Sequence, residues 1–121
     1  MSDLYKIFKN NPNGCSVKCI RTTTSTNYQL ANYTSGYFVA LTDNCTDKNN
    51  KTSIINDIHQ QAKRLKLEHY FIGYWKDIKT NKEYIDLAIH IEHKPLALTI
   101  GSNFKQKAIF DCANLESIYL I

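Results

Sequence analysis

Over residues 84–91 the side chains alternate along an extended segment: Ile85, Leu87, Ile89 and Ile91 fall on one face, and Tyr84, Asp86, Ala88 and His90 on the other. The first face is core. The second carries a carboxylate between a tyrosine and a small residue, opposite an earlier segment that supplies Tyr70 and Tyr74, or Phe71 and Trp75, depending on register. A carboxylate half-buried among aromatic rings is costly unless something pairs with it. Asp86 is therefore the residue whose partner defines the chemistry.

Other constellations carry less. The histidines and the cysteines Cys15, Cys19, Cys45 and Cys112 show no ligand spacing beyond Cys15-x-x-x-Cys19, and no second pair answers it, so no metal is expected. Cys112 has no histidine near it in sequence and Cys45 sits among polar residues, which leaves no nucleophile pair. The four glycines are spread singly, so no loop is built to cradle phosphates. The net charge is +4, but Lys and Arg are scattered, and Lys63, Arg64 and Lys66 read as the solvated face of a helix. Aromatic rings on a sheet face could stack nucleobases, yet the consensus and the basic strand residues of RNA-binding domains are missing, so nucleic acid is not the expected partner.

The elements that must position Asp86 follow from the same patterns. Residues 68–91 read as a hairpin, two runs rich in aromatic and β-branched residues around the polar turn 77–82. Residues 37–41 form a near-continuous apolar strand, central to a sheet. A helix over about 52–66 follows, with Ile54, Ile55, Ile58, Ala62 and Leu65 at helical spacing and Asn49, Asn50, Thr52 or Ser53 available as its cap. Pro95 opens a second helix, with Leu96, Ala97, Ile100 and Phe104 on one face. Gly101 inside it costs about 1 kcal/mol against alanine, which implies close packing there. Residues 107–111 are a strand, and 117–121 a short last one beyond a turn at Ala113 and Asn114. Residues 1–35 read as an N-terminal arm or an edge strand.

Strand, helix, strand, strand, helix, strand is the order of a split βαβ unit, so the expected class is α+β: a ferredoxin-like two-layer sandwich over residues 36–121, its antiparallel sheet carrying two helices on one face. The other face must then be solvated, ligand-bound or covered by another subunit, and its aromatic residues make a homo-oligomer the expectation. At 121 residues the chain has the length of one ordinary domain. No apolar run approaches the ~20 residues needed to cross a bilayer. The first residues lack the apolar core of a secretion signal, so a cytoplasmic protein with reduced cysteines is expected, and no membrane partner.

Four features, in order, resemble the small bacteriophage S-adenosylmethionine lyases, long described as S-adenosylmethionine hydrolases. They are a strand with small residues running Val39-Ala40-Leu41-Thr42-Asp43-Asn44, a helix, the hairpin with Tyr84-Ile85-Asp86, and a helix ending in Gln106 before the apolar strand Ala108-Ile109-Phe110. The likeness covers about residues 36–111. It departs from the family pattern at Asp86, where Glu is usual, and at Thr42, where arginine is common. The resemblance implies a catalytic domain over 36–121 that cleaves S-adenosylmethionine to methylthioadenosine and homoserine lactone with no cofactor. It also implies a trimer-like assembly with sites between subunits, working against restriction in the infected host's cytoplasm. The alternative for the same fold is an oligomer that binds single-stranded nucleic acid or senses an adenosyl nucleotide.

S-Adenosylmethionine carries its own leaving group, the sulfonium, and its own nucleophile, the methionine carboxylate. A dry pocket that folds it into an attack-ready conformer can therefore supply much of the acceleration. A carboxylate set against the sulfonium would favour the charged ground state, so on this reading Asp86 holds the substrate amino group. Tyr74, the second catalytic candidate, and Tyr70 would hold the sulfonium and adenosyl region by cation–π contact and a hydroxyl. Tyr84, Thr42, Asp43, Asn44 and Gln106 complete the expected substrate contacts.

Overall fold

Helix caps and apolar periodicity set the element order. The computed structural model describes residues 2–21, 24–42 and 50–120. Its elements are α1 (Ser2–Asn10), β1 (Cys15–Arg21), β2 (Thr26–Leu30), β3 (Tyr37–Ala40), α2 (Lys51–Arg64), β4 (Tyr70–Lys76), β5 (Glu83–Ile91), α3 (Lys94–Asn103), β6 (Ala108–Asp111) and β7 (Glu116–Tyr119). Asn50 caps α2, its side-chain oxygen accepting from the Ser53 amide. His93 caps α3 in the same way through Leu96, and Pro95 lies in the first turn, where its missing N–H is no loss.

The chain is α+β, with one seven-stranded sheet in the order β2-β1-β4-β5-β3-β6-β7, every pairing antiparallel. Val17 and Cys19 of β1, Val39 of β3, Tyr70, Ile72 and Tyr74 of β4, Ile85 and Leu87 of β5 and Ile109 of β6 form one buried layer. Leu4 and Phe8 of α1, Ile54, Ile55, Ile58 and Ala62 of α2, and Ala97 of α3 belong to the same cluster, so all three helices cover one face. The opposite face has a small apolar cluster of its own: Phe38, Phe71, Ala88 and Cys112, with Ala31 packed against it.

The expected four-stranded sheet with two helices is corrected to seven strands and three helices among the described residues. The additions come mainly from the first 35 residues. Leu4 and Phe8, one helical turn apart, make α1 amphipathic and are buried, while Val17 and Cys19 alternate with Ser16 and Lys18 along β1. In α3 the buried positions are Ala97 and Gly101, whereas Leu96 is exposed and Phe104 caps the helix end. A Cβ on Gly101 would stand 2.8 Å from Leu120 and 3.0 Å from Ile109, which is the close packing that this glycine implied.

The segment between β2 and β3 lies across one end of the second face. Tyr33 packs on His90, Phe38 and Phe71, with ring centroids 4.3, 5.8 and 5.7 Å away. The His90 Nε2–H donates to the Ser35 carbonyl at 2.8 Å. Gly36 follows with φ +76°, and a Cβ there would meet the His90 ring at 2.6 Å. Gly36→Ala is therefore expected to lower stability by about 2 kcal/mol or more, combining left-handed strain with a ring clash. Denaturant midpoints check this, and a midpoint unchanged from wild type would mean that the segment between β2 and β3 is not held as described.

Candidate functional site

On the face away from the helices, Asp86 is half-buried between two strands that treat it differently. On the β3 side, the Thr42 hydroxyl donates to Asp86 Oδ1 at 3.3 Å and accepts from the Leu87 amide at 3.0 Å. On the β4 side, its register partner is Gly73, which has no side chain. A Cβ built on Gly73 would have only the Asp86 carbonyl oxygen within 4 Å, at 3.8 Å, so the space over Gly73 is open. Next along the hairpin, Trp75 pairs with Tyr84 across the strands and their rings stack, centroids 4.5 Å apart at 10°. Trp75 is about half exposed. The result is a recess with a carboxylate in its floor and a two-ring wall, chemistry that suits an organic cation with a flat apolar part.

The β4–β5 register decides which aromatic residues belong to this recess. Phe71, Gly73 and Trp75 share a face with Asp86, and Tyr70 and Tyr74 do not. Within one chain, then, the expected pair of Asp86 and Tyr74 is split across the sheet. Tyr74 stacks on Phe8 at 4.4 Å, and its hydroxyl donates to Glu83 Oε2 at 2.6 Å; Lys51 Nζ lies 3.0 Å from the same oxygen. This triad edges a cleft of about 410 Å³ that Lys9 and Lys76 also line. Tyr70 is buried, its hydroxyl shared between Arg21 and His59. The Gln106 side chain donates to the Phe104 carbonyl at 3.3 Å, within the turn that ends α3. Thr42 and Tyr84 do flank Asp86, whereas Asp43 and Asn44 lie outside the described residues.

Trp75 and Gly73 are the residues beside Asp86 to which the sequence reading gave no role. A signal for them existed: Ile72 shares its parity with Tyr70 and Tyr74, which marks those two as core, and Gly73 is the gap opposite Asp86. The cluster of Arg21, Tyr28, His59 and Tyr70 joins four separate elements and has no spacing that could announce it. At Cys15 and Cys19 the reactive thiolate is disfavoured, because burial pushes the Cys15 thiol up to about 11 and the Cys19 thiol up to about 12. Among the described residues no three His, Cys, Asp or Glu side chains converge as a metal site, and no helix is long and apolar enough to cross a membrane.

Tyr74→Phe tests the assignment of Tyr74 to fold support. The ring stack on Phe8 survives and the hydrogen bond to Glu83 is lost, so stability should fall by about 1 kcal/mol near neutral pH. Burial acts to raise the Glu83 carboxyl, but the Tyr74 and Lys51 bonds outweigh it and hold it below its ordinary 4.5. A lowered carboxylate contributes stability above its ordinary value, and that stability is lost as pH falls through the lowered one. The gap between wild type and variant should therefore narrow in denaturant titrations as pH falls from 4.5 through the lowered value. A gap that stays constant over the whole acid titration would show that Glu83 is not the partner that matters. The chain matches no protein-family model, no curated protein and no solved structure.

Proposed function

We propose that this chain binds S-adenosylmethionine in the recess over Asp86 and cleaves it as a lyase. The observation that carries the reading is the combination on one face of a carboxylate, an unfilled space beside it and a stacked indole–phenol pair. S-Adenosylmethionine offers what these groups recognise: an ammonium for Asp86, and a sulfonium and adenine ring for Trp75 and Tyr84. Trp75 replaces Tyr74 in the cation–π role. Thr42, fixed by the Leu87 amide, orients the carboxylate so that the ammonium is held away from the reacting carbon.

With the amino group anchored, the substrate's own carboxylate oxygen attacks Cγ, the Cγ–S bond breaks, and its electron pair stays on sulfur. Methylthioadenosine leaves as a neutral thioether and homoserine lactone remains. No proton need move, and charge is neutralised along the path, so orientation and exclusion of water favour this route. A hydrolase would need a general base with a water held behind Cγ, and the bound ammonium occupies Asp86 for another purpose. A nucleic-acid ligand is disfavoured by the same residue, because a carboxylate in the centre of the open face repels phosphates.

The strand order and the exposed apolar residues fit this reading. The inner strands run β4-β5-β3-β6, with α2 between β3 and β4 and α3 between β5 and β6, which supports a ferredoxin-like core extended at both edges. Ile20, Trp75, Phe110 and Tyr119 are exposed, and the register puts all four on the face away from the helices. A homo-oligomer, a trimer by the resemblance, would cover this apolar surface and close the recess from water. The purified protein should therefore run above monomer mass at micromolar concentration; a stable monomer would remove the interface part of the reading.

Incubation with S-adenosylmethionine, without metal or cofactor, is expected to yield methylthioadenosine and homoserine lactone. In ¹⁸O-water the earliest lactone should be unlabelled. Asp86→Asn should lose turnover by about tenfold or more. Gly73→Ala fills the recess without a backbone penalty, so it should weaken substrate binding while leaving the melting temperature close to wild type. If the wild type neither binds nor cleaves S-adenosylmethionine, or Asp86→Asn remains fully active, the proposal fails.

A further inference from the structure

On the helix side of the sheet, a chain of side chains runs from β1 to β2 through α2. Arg21 Nη2 donates to the Tyr70 hydroxyl oxygen at 3.0 Å, the Tyr70 oxygen is 2.7 Å from His59 Nδ1, and His59 Nε2 is 2.8 Å from the Tyr28 hydroxyl. A guanidinium only donates, so it occupies one lone pair of the Tyr70 oxygen, and the buried Tyr70 proton is satisfied by pointing to His59 Nδ1. In that arrangement His59 Nδ1 accepts, and Nε2 carries the hydrogen and donates to Tyr28. Every bond in this chain has a single direction, and the direction exists only while the imidazole is neutral.

We propose that this chain is a pH-sensitive latch, in which protonation of His59 releases α2 from the β1–β2 hairpin. Protonation turns Nδ1 from acceptor to donor. The hydroxyl of Tyr70, a side chain 1% exposed, then loses His59 Nδ1 as its acceptor. A buried hydroxyl left without one is destabilising. The new charge also meets the Arg21 guanidinium, which lies over the Tyr70 ring at 5.7 Å. The groups that act on its two tyrosine partners are themselves neutral near pH 7: Tyr28 on β2, its hydroxyl pushed up to about 12 by burial first and by Cys19, Tyr70 and Tyr5 after that; the Cys19 thiol on β1, raised by burial; and Tyr5 on α1, bound to Thr52 of α2 at 2.8 Å. Burial, then Arg21, lowers the His59 pKa from its ordinary 6.5, as this geometry requires. A histidine held neutral adds stability that is complete above its ordinary pKa and is lost as pH falls below it toward the lowered value.

The latch is tested on the whole protein by following the imidazole resonances and the amide protection factors of β1 and β2 from about pH 8 to 5. His59 should begin to titrate only below its ordinary range, and β1–β2 protection should fall about tenfold for each pH unit of that delay. In denaturant titrations His59→Gln should lose much of the acid-dependent destabilisation over the same range, and Tyr70→Phe should bring the His59 titration back toward its ordinary value. Should His59→Gln fail to fold, the wild-type resonances alone decide. A ring that titrates at about 6.5 or higher while β1–β2 protection stays constant overturns the latch, as does a His59→Gln variant with the wild-type acid profile.

Discussion

In the β4–β5 hairpin Gly73 stands opposite Asp86, and because side chains alternate along both strands this one pairing fixes the role of every neighbour. Ile72 meets Leu87 and Tyr74 meets Ile85 on the helix side, while Trp75 meets Tyr84 on the other. A slip of one residue would carry Asp86 under the helices and expel Leu87 and Ile85 into water. The apolar set Ile85, Leu87, Ile89 and Ile91 therefore holds the carboxylate on its face as firmly as any direct contact does.

The two faces handle polar groups in different ways. Beneath the helices, three tyrosine hydroxyls have specific partners: Tyr74 with Glu83 and, through it, Lys51; Tyr70 with Arg21 and His59; Tyr28 with His59. These bonds tie α2 to three strands. Among the described residues no buried side-chain nitrogen or oxygen lacks a partner, as expected where a stranded donor is expensive. On the opposite face the aromatic rings pack on one another, and Asp86, bonded to Thr42, stands across from the bare backbone of Gly73.

Much of this was legible in the sequence because it is local. The β5 alternation, the hairpin turn, the Asn50 cap and the Pro95 helix start all express short-range rules, and the structure has each of them. The site was half legible. Asp86 and Thr42, both named from the sequence, lie within 3.3 Å of each other, but assigning Tyr70 and Tyr74 to the ligand required knowing the parity of β4, which Ile72 decides. The first 35 residues were obscure because β1 and β2 are defined by partners far away in sequence. His59 was obscure for the same reason, since its hydrogen bonds reach 31 residues back and 11 forward.

Strand β3 is only four residues long, yet it is the sole bridge between β2-β1-β4-β5 on one side and β6-β7 on the other. The hairpins β1–β2, β4–β5 and β6–β7 are local, whereas three pairings close long loops: β1 to β4 and β3 to β5 over about fifty residues, and β3 to β6 over about seventy. β3 makes two of these three closures, and β6–β7 joins the rest of the sheet through it. Thr42 follows β3 directly, so the Thr42–Asp86 contact depends on one of the long closures. A molecule bound over Asp86 and Thr42 would hold that closure, and its affinity would appear as resistance of β3 to separation from β5.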